Sequence, residues 1–195
     1  AMSDAIAAAS AIVIGPGLGQ SGKNEDVLET VLQTNVPAVL DADALNRIAA
    51  DDAMPALANR HVLTPHPGEM GRLNRWLDRN DVPTDDAGRL ELAGHAARTF
   101  DCTVLLKGRR TVVTDGDRAR INPTGNTTLA KAGSGDVLSG LIGSLLAQGM
   151  PPFDAACGGA FYHGLAGEHV GLTLSQRSGL ASEVADAITH VMPKS

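Results

Sequence analysis

Thr124-Gly125-Asn126-Thr127-Thr128-Leu129-Ala130-Lys131-Ala132-Gly133-Ser134-Gly135-Asp136 runs straight into Val137-Leu138-Ser139-Gly140-Leu141-Ile142. A glycine-rich loop opens here onto a helix predicted over Gly135–Gln148, and Gly149 ends it. Val137, Leu138, Leu141, Ile142, Leu145 and Leu146 form one apolar stripe along that helix. Free backbone N–H groups at such a terminus bind anions, and glycines let a phosphate approach the main chain. Asp136 stands in the first turn, where a carboxylate beside a bound phosphate is electrostatically costly. It therefore points to a chemical task, most simply taking a proton from a hydroxyl that attacks the phosphate. The plain alternative is a loop of small residues that allows close packing, with Asp136 serving only the helix dipole.

Upstream of this loop, strand and helix signals alternate. Ala11–Ile14, Pro37–Leu40, His61–Leu63 and Thr103–Leu106 read as short buried strands. Helices are predicted over Asn24–Gln33, over Ala44–Ala50, from Pro67 through Met70 and Leu73, and over Ala87–Thr99. Thr111–Thr114 and Arg118–Ile121 read as a hairpin closed by Asp115-Gly116-Asp117. Pro151-Pro152 starts a further helix, and the last one begins near Ser182. This order predicts a single α/β domain over 1–195, a mostly parallel sheet covered by helices on both sides. Ligands of such sheets bind beyond the carboxyl ends of the strands. Four predicted strands end in polar or glycine-rich tips there: Gly15–Gly19, Asp41–Asp43, Thr64–Glu69 and Lys107–Gly108.

Composition narrows the function. The chain has 195 residues, enough for one sizeable core, and 43% are hydrophobic, which excludes a disordered chain. Aromatics are only 3%, so Ala, Val, Leu and Ile must build the core. A formal charge of −6 with no basic run argues against nucleic-acid binding. No apolar run is long enough to span a bilayer, and the first residues lack a basic segment of the secretory kind. Cys102 and Cys157 lie far apart in apolar stretches, as expected of buried free thiols in a reducing, cytoplasmic setting. Ala1 before Met2 is expected to be a remnant of tag removal.

Among the strand tips, Lys107–Thr111 is read as a nucleotide contact, because Gly108 permits a close backbone approach. His66 lies between two prolines that stiffen its backbone, and is read as a ligand contact. Glu69 is at least as well explained as a cap of the next helix as by metal or water contact. Gly15-Pro16-Gly17-Leu18-Gly19 does not match the dinucleotide pattern G-x-G-x-x-G. One of Asp41 and Asp43 is expected at the site, the other holding a loop or capping a helix. His163 and His169 are not at i,i+4 spacing and are read as structural.

Four segments together resemble the NAD(P)H-hydrate dehydratases of the ribokinase-like superfamily. They are Val13–Gly19, Leu40–Asn46, Leu63–Met70 and Asn122–Asp136. The resemblance extends to Gly164–Gly167 and Ser178–Ser182; Thr64–Glu69 is its most specific part. It implies a three-layer α/β/α sandwich and a repair reaction on NADHX or NADPHX, the hydrated forms of NADH and NADPH. ADP or ATP would be the co-substrate with Mg²⁺, and no residue is assigned to the metal. Asp136 would be the catalytic base. Lys107, Gly108, Arg109, Arg110, Thr111, Asn122, Thr124, Gly133, Ser134 and Gly135 would bind nucleotide. Gly17, Gly19, Asp41, His66 and Asp136 would bind the hydrate. The resemblance also implies a homo-oligomer, a tetramer.

Two departures stand out. Lys131 is unexpected in its loop, where it could contact phosphate or point to solvent. Family members also carry β/α units before the strand at Ala11, so this chain is expected to be the C-terminal portion of the domain, with an exposed sheet edge that self-association would cover. The rival readings are a vitamin-precursor kinase of the same superfamily and a nucleotide-binding remnant without catalysis.

Overall fold

The structure is a computed structural model that describes residues 2–19, 25–55, 57–177 and 179–193. The elements run α1 (Met2–Ala7), β1 (Ile12–Ile14), α2 (Glu25–Leu32), β2 (Ala38–Leu40), α3 (Asp43–Ala50), β3 (Val62–Leu63), α4 (Pro67–Leu73) and α5 (Asp86–Phe100). They continue with β4 (Thr103–Leu106), β5 (Val112–Thr114), β6 (Ala119–Ile121), α6 (Ser134–Ala147), α7 (Pro152–Thr173) and α8 (Ala181–Val191). Asn24, the expected start of the second helix, lies outside the described residues, as do Ala1 and Ser178. Helix α1 was not anticipated by the sequence pattern.

The strands lie in chain order, β1-β2-β3-β4-β5-β6. β1 to β4 pair in parallel, and β4-β5-β6 pair antiparallel. The strand period of two sorts the core into two faces. Ala38, Leu40, Leu63, Val104, Leu106 and Val112 meet Leu28, Leu45, Ile48, Met70, Leu73, Leu92 and Phe100 of α2 to α5. Val39, Val62, Leu105 and Val113 meet Leu138, Ile142, Leu145, Leu146 and Phe153 of α6 and α7. Burying each such aliphatic side chain contributes about 1.5–3 kcal/mol. A smaller cluster, Ala166, Val170, Val184 and Ala187, joins α7 to α8. This is the three-layer α/β/α arrangement expected from the sequence. β1 is an edge of the sheet, and its Val13 is 40% exposed.

Cys102 and Cys157 are free thiols. Burial pushes the Cys102 thiol far up and lifts Cys157 to about 11. Cys157 is only half-buried, a departure from the sequence expectation. Among the described residues no helix is long and apolar enough to cross a membrane.

His61, just before β3, is fully buried, and neither ring nitrogen has a hydrogen-bond partner. Desolvation, and secondarily Arg60, lower its pKa from 6.5 to about 4. The unfolded chain therefore takes up a proton below pH 6.5 that the fold resists. Stability should be full above pH 7 and fall as pH drops from 6.5 towards 4, by about 3 kcal/mol for this residue. Urea melts of wild type and His61→Leu across that range check this: the variant should lose much of the slope.

Candidate active site

Parallel pairing brings the carboxyl ends of β1 to β4 to one edge of the sheet. Asp41, just past β2, is 1% exposed. Lys107, just past β4, donates from Nζ to Asp41 Oδ1 at 2.7 Å. The same oxygen accepts from the Ala42 amide at 2.8 Å, and Oδ2 accepts from Ser139 Oγ of α6 at 2.6 Å. A buried ion pair persists only when further hydrogen bonds satisfy its remaining lone pairs. Asp41 meets that condition with three donors. Lys107 Nζ also lies 3.7 Å from Glu69 Oε2.

The first turn of α6 is laid against this pair. A Cβ on Gly135 would come within 3.4 Å of Lys107 Nζ and 3.8 Å of Asp41 Oδ2. Gly133, the residue before the helix, has φ +83°, a left-handed conformation that suits glycine. The turn thus joins open helix N–H groups to a lysine ammonium. Asp136 is exposed, and among the described residues its carboxylate has neither a hydrogen bond nor an ion pair.

The Thr64–Glu69 segment builds a reciprocal cap. His66 Nδ1 accepts from the Gly68 and Glu69 amides at 2.9 and 3.3 Å. Glu69 Oε2 accepts from the His66 amide at 2.8 Å. Both residues therefore cap α4, with Pro67 at its first position. Two amides pointing at Nδ1 leave the proton of a neutral ring on Nε2. That atom lies 3.4 Å from Glu69 Oε1, on a half-exposed side chain.

A cavity of about 680 Å³ opens beside the α6 terminus. Lys107, Gly108, Arg109, Arg110, Thr111, Asn122, Thr124, Ser134 and Gly135 all line it, as nine of the ten expected nucleotide positions. Gly133 lies just outside. Some of these side chains serve the frame. Asn122 Nδ2 donates to Thr124 O and Ala160 O, and Thr124 Oγ1 donates to Phe161 O, tying the hairpin exit to α7. Glu168 Oε1 accepts from the Gly125 amide at 2.8 Å.

The expected hydrate residues do not share that cavity. Gly17 and Gly19 lie in the loop after β1, and nothing stands within 4 Å of where their Cβ atoms would be. Asp43 holds this loop through the Gly19 amide at 2.9 Å, as one of the two aspartates was expected to. Asp41, expected on the hydrate side, lies beneath the surface with both oxygens occupied, one of them by Lys107. Lys131, left open between phosphate contact and solvent, has backbone partners. Its half-buried ammonium donates to Arg177 O at 2.8 Å and to Gly179 O, a strut before α8. His163, read as structural, lines the cavity, with Nε2 3.2 Å from Ser134 Oγ, and desolvation lowers its pKa to about 4. Ser139, Glu168 and Arg89 also escaped the sequence reading. Arg89, 5% exposed on α5, donates to Leu106 O, Lys107 O, Arg109 O and Arg110 O. Arg89 falls in the predicted helix Ala87–Thr99, for which no buried face was read.

The fold and this helix terminus place the chain in the ribokinase-like class. Residues 1–190 match the family model described as NAD(P)H-hydrate dehydratase, and the chain belongs to that family. It is 42% identical over 192 residues to the bifunctional NAD(P)H-hydrate repair enzyme of Moorella thermoacetica, covering 96% of this chain and 35% of that protein. It is 42% identical over 185 residues to the ADP-dependent (S)-NAD(P)H-hydrate dehydratase of Neisseria meningitidis, covering 91% and 61%. The chain thus spans between about one third and three fifths of these relatives' lengths. A solved ADP/ATP-dependent NAD(P)H-hydrate dehydratase from Bacillus subtilis, co-crystallized with ATP/Mg²⁺, superposes with a TM-score of 0.79 and 33% identity. The match covers 97% of this chain and 68% of that one.

Two substitutions separate framework from surface. Lys107→Met strands the buried Asp41 carboxylate. It should destabilise the fold, by less than the roughly 3–5 kcal/mol of a fully buried pair because Lys107 keeps some solvent contact. Asp41→Asn added to it should recover most of that loss in urea melts. His66→Ala should cost about 1 kcal/mol through the lost cap, while His66→Asn, itself a good cap, should restore it.

Proposed function

We propose that this chain carries an ADP- or ATP-dependent dehydration of NADHX and NADPHX to NADH and NADPH. The observation that carries the reading is the α6 terminus. It sets the Lys107 ammonium and the Ser134-Gly135 turn in the lining of a nucleotide-sized cavity, with the exposed, unpartnered Asp136 carboxylate on the next residue of the helix. Similarity to the Neisseria and Bacillus proteins supports the reaction class and the co-substrate.

In this reading the nucleotide lies along Lys107–Thr111 and directs its terminal phosphate at Ser134-Gly135. The hydrate lies on the Gly17–Gly19 and His66 side, where the loop leaves room for backbone contact and His66 Nε2 offers a donor. Asp136 takes the proton of the ring hydroxyl. The hydroxyl oxygen attacks the terminal phosphorus, and the bond to the departing nucleotide breaks. Lys107 and the α6 amides stabilise charge on the transferring phosphoryl group. The ester then loses phosphate: the ring C–O bond breaks, a proton leaves the neighbouring carbon, and the double bond returns. Asp41 and Ser139 keep Lys107 fixed throughout, so that no reorganisation is needed as charge develops.

The donor set fits a Mg²⁺ that arrives on the nucleotide. Among the described residues no three His, Cys, Asp or Glu side chains form a metal cage. Mg²⁺ needs only phosphates, waters and one or two carboxylates. Glu69, 5% exposed and engaged in the cap of α4, is not free to hold it, so the ion would be carried by the nucleotide's phosphates and waters. Bound there, the ion supplies further neutralisation of phosphate charge.

The test mixes the chain with NADHX, Mg²⁺ and ADP or ATP, and follows NADH absorbance. Nucleotide-dependent recovery is expected. A stable phosphorylated product would instead identify a kinase, and nucleotide binding without any product a non-catalytic relative. Asp136→Asn should lower turnover by about 10²-fold or more while leaving the nucleotide dissociation constant in place. Lost nucleotide binding would assign Asp136 a structural role.

A further inference from the structure

Arg89 stands outside the cavity, on the far side of the loop that lines it. Its Nη1 donates to Arg109 O at 2.5 Å and Arg110 O at 3.2 Å; its Nη2 donates to Leu106 O at 3.1 Å and Lys107 O at 3.3 Å. One buried guanidinium therefore gathers carbonyls from almost every residue of the strand tip. In a trans peptide the next residue's N–H points opposite to the carbonyl, and among the described residues no peptide is cis. Turning the carbonyls of Lys107, Arg109 and Arg110 towards Arg89 turns the amides of Gly108, Arg110 and Thr111 away from it. Those three residues line the cavity. The Lys107 amide is not free for a ligand, because it donates to Pro65 O.

The loop does not hold this shape unaided. Arg110 has φ +56°, a left-handed conformation uncommon for a residue with a side chain. Its guanidinium is tied by Nε to Asp86 Oδ2 at 2.8 Å, one turn before Arg89 on α5. A Cβ on Gly108 would come within 3.0 Å of Arg89 Nη2, so the backbone passes directly over the arginine. The buried positive charge behind the peptide groups also polarises them, which strengthens their N–H groups as donors towards an anionic ligand.

We infer that Arg89 is a positioning residue that presents the Gly108, Arg110 and Thr111 amides to the nucleotide, and so governs nucleotide affinity rather than the phosphoryl-transfer step. The inference rests on the nucleotide reading of the cavity, but not on the hydrate chemistry. Its test is accordingly made on nucleotide binding first.

Calorimetry with ADP and with ATP is run on wild type, Arg89→Ala and Arg89→Lys, with thermal melts alongside. Arg89→Ala should weaken nucleotide binding by at least about tenfold, the scale of one or two lost amide hydrogen bonds. Low-millimolar guanidinium should restore affinity in that variant and leave wild type unaffected. Arg89→Lys keeps the charge and some of the donors, so it should fold even where the alanine variant does not, with an intermediate loss. In the NADHX assay both should raise the nucleotide KM while kcat at saturation stays within about threefold and the hydrate KM is unchanged. A folded Arg89→Lys with wild-type nucleotide affinity would overturn the inference, as would a fall in kcat with an unchanged nucleotide KM. Wild type that binds ADP or ATP without turning over NADHX would defeat the proposed reaction but leave the calorimetric result decisive. Wild type that binds neither nucleotide would defeat both.

Discussion

The site depends on one arrangement: a lysine ammonium held under the open end of a helix by a buried aspartate. Asp41 and Lys107 leave the sheet from different strands, and Ser139 reaches Asp41 from α6. The contact therefore fixes β2, β4 and α6 relative to one another at the point where a phosphate would sit. Removing the side chain at residue 135 allows the helix to close onto the pair. Both the dipole of α6 and the Lys107 charge favour an anion at this spot, and together they offset the negative charge of the chain as a whole. An acidic protein can in this way bind a polyanionic nucleotide through placed charges.

Around that contact, each strand tip is held by its own local device. His66 and Glu69 cap α4 reciprocally, Asp43 holds the Gly19 amide, and Arg89 gathers the carbonyls after β4. Lys131 and Glu168 tie the glycine-rich loop to the end of α7 and the segment that follows. Much of the polar chemistry near the site is thus framework. Asp136 differs in that its carboxylate is left to solvent, at the base of a helix that is otherwise firmly packed.

The fold was legible because its inner strands, β2 to β5, are short, apolar and buried on both faces, while α6 carries a clean apolar stripe. Thr103–Leu106 was placed to the residue, and the hairpin to within one. The cavity lining was legible from the strand tips and the glycine loop, since loops at the carboxyl edge of a parallel sheet converge by topology alone. Contacts between residues far apart in sequence were not. Nothing local marks Ser139 as the partner of Asp41, nor Lys131 as a strut to Gly179, nor His163 as the neighbour of Ser134. Helix α1 lacked a cap or stripe strong enough to declare it. Glu69 sat between two readings, cap and ligand, and His66 was read as a ligand contact; the structure shows both in the cap while leaving the His66 side chain half-exposed.

The central claim is that the hydrate's own oxygen attacks phosphorus at the α6 terminus and departs on phosphate. NADHX labelled with ¹⁸O in the ring hydroxyl tests this directly, with the released inorganic phosphate examined by mass or by the ³¹P isotope shift. Label in the phosphate is the predicted result. Label released into water, with unlabelled phosphate, would mean that dehydration proceeds without phosphorylation of the hydroxyl and would contradict the account.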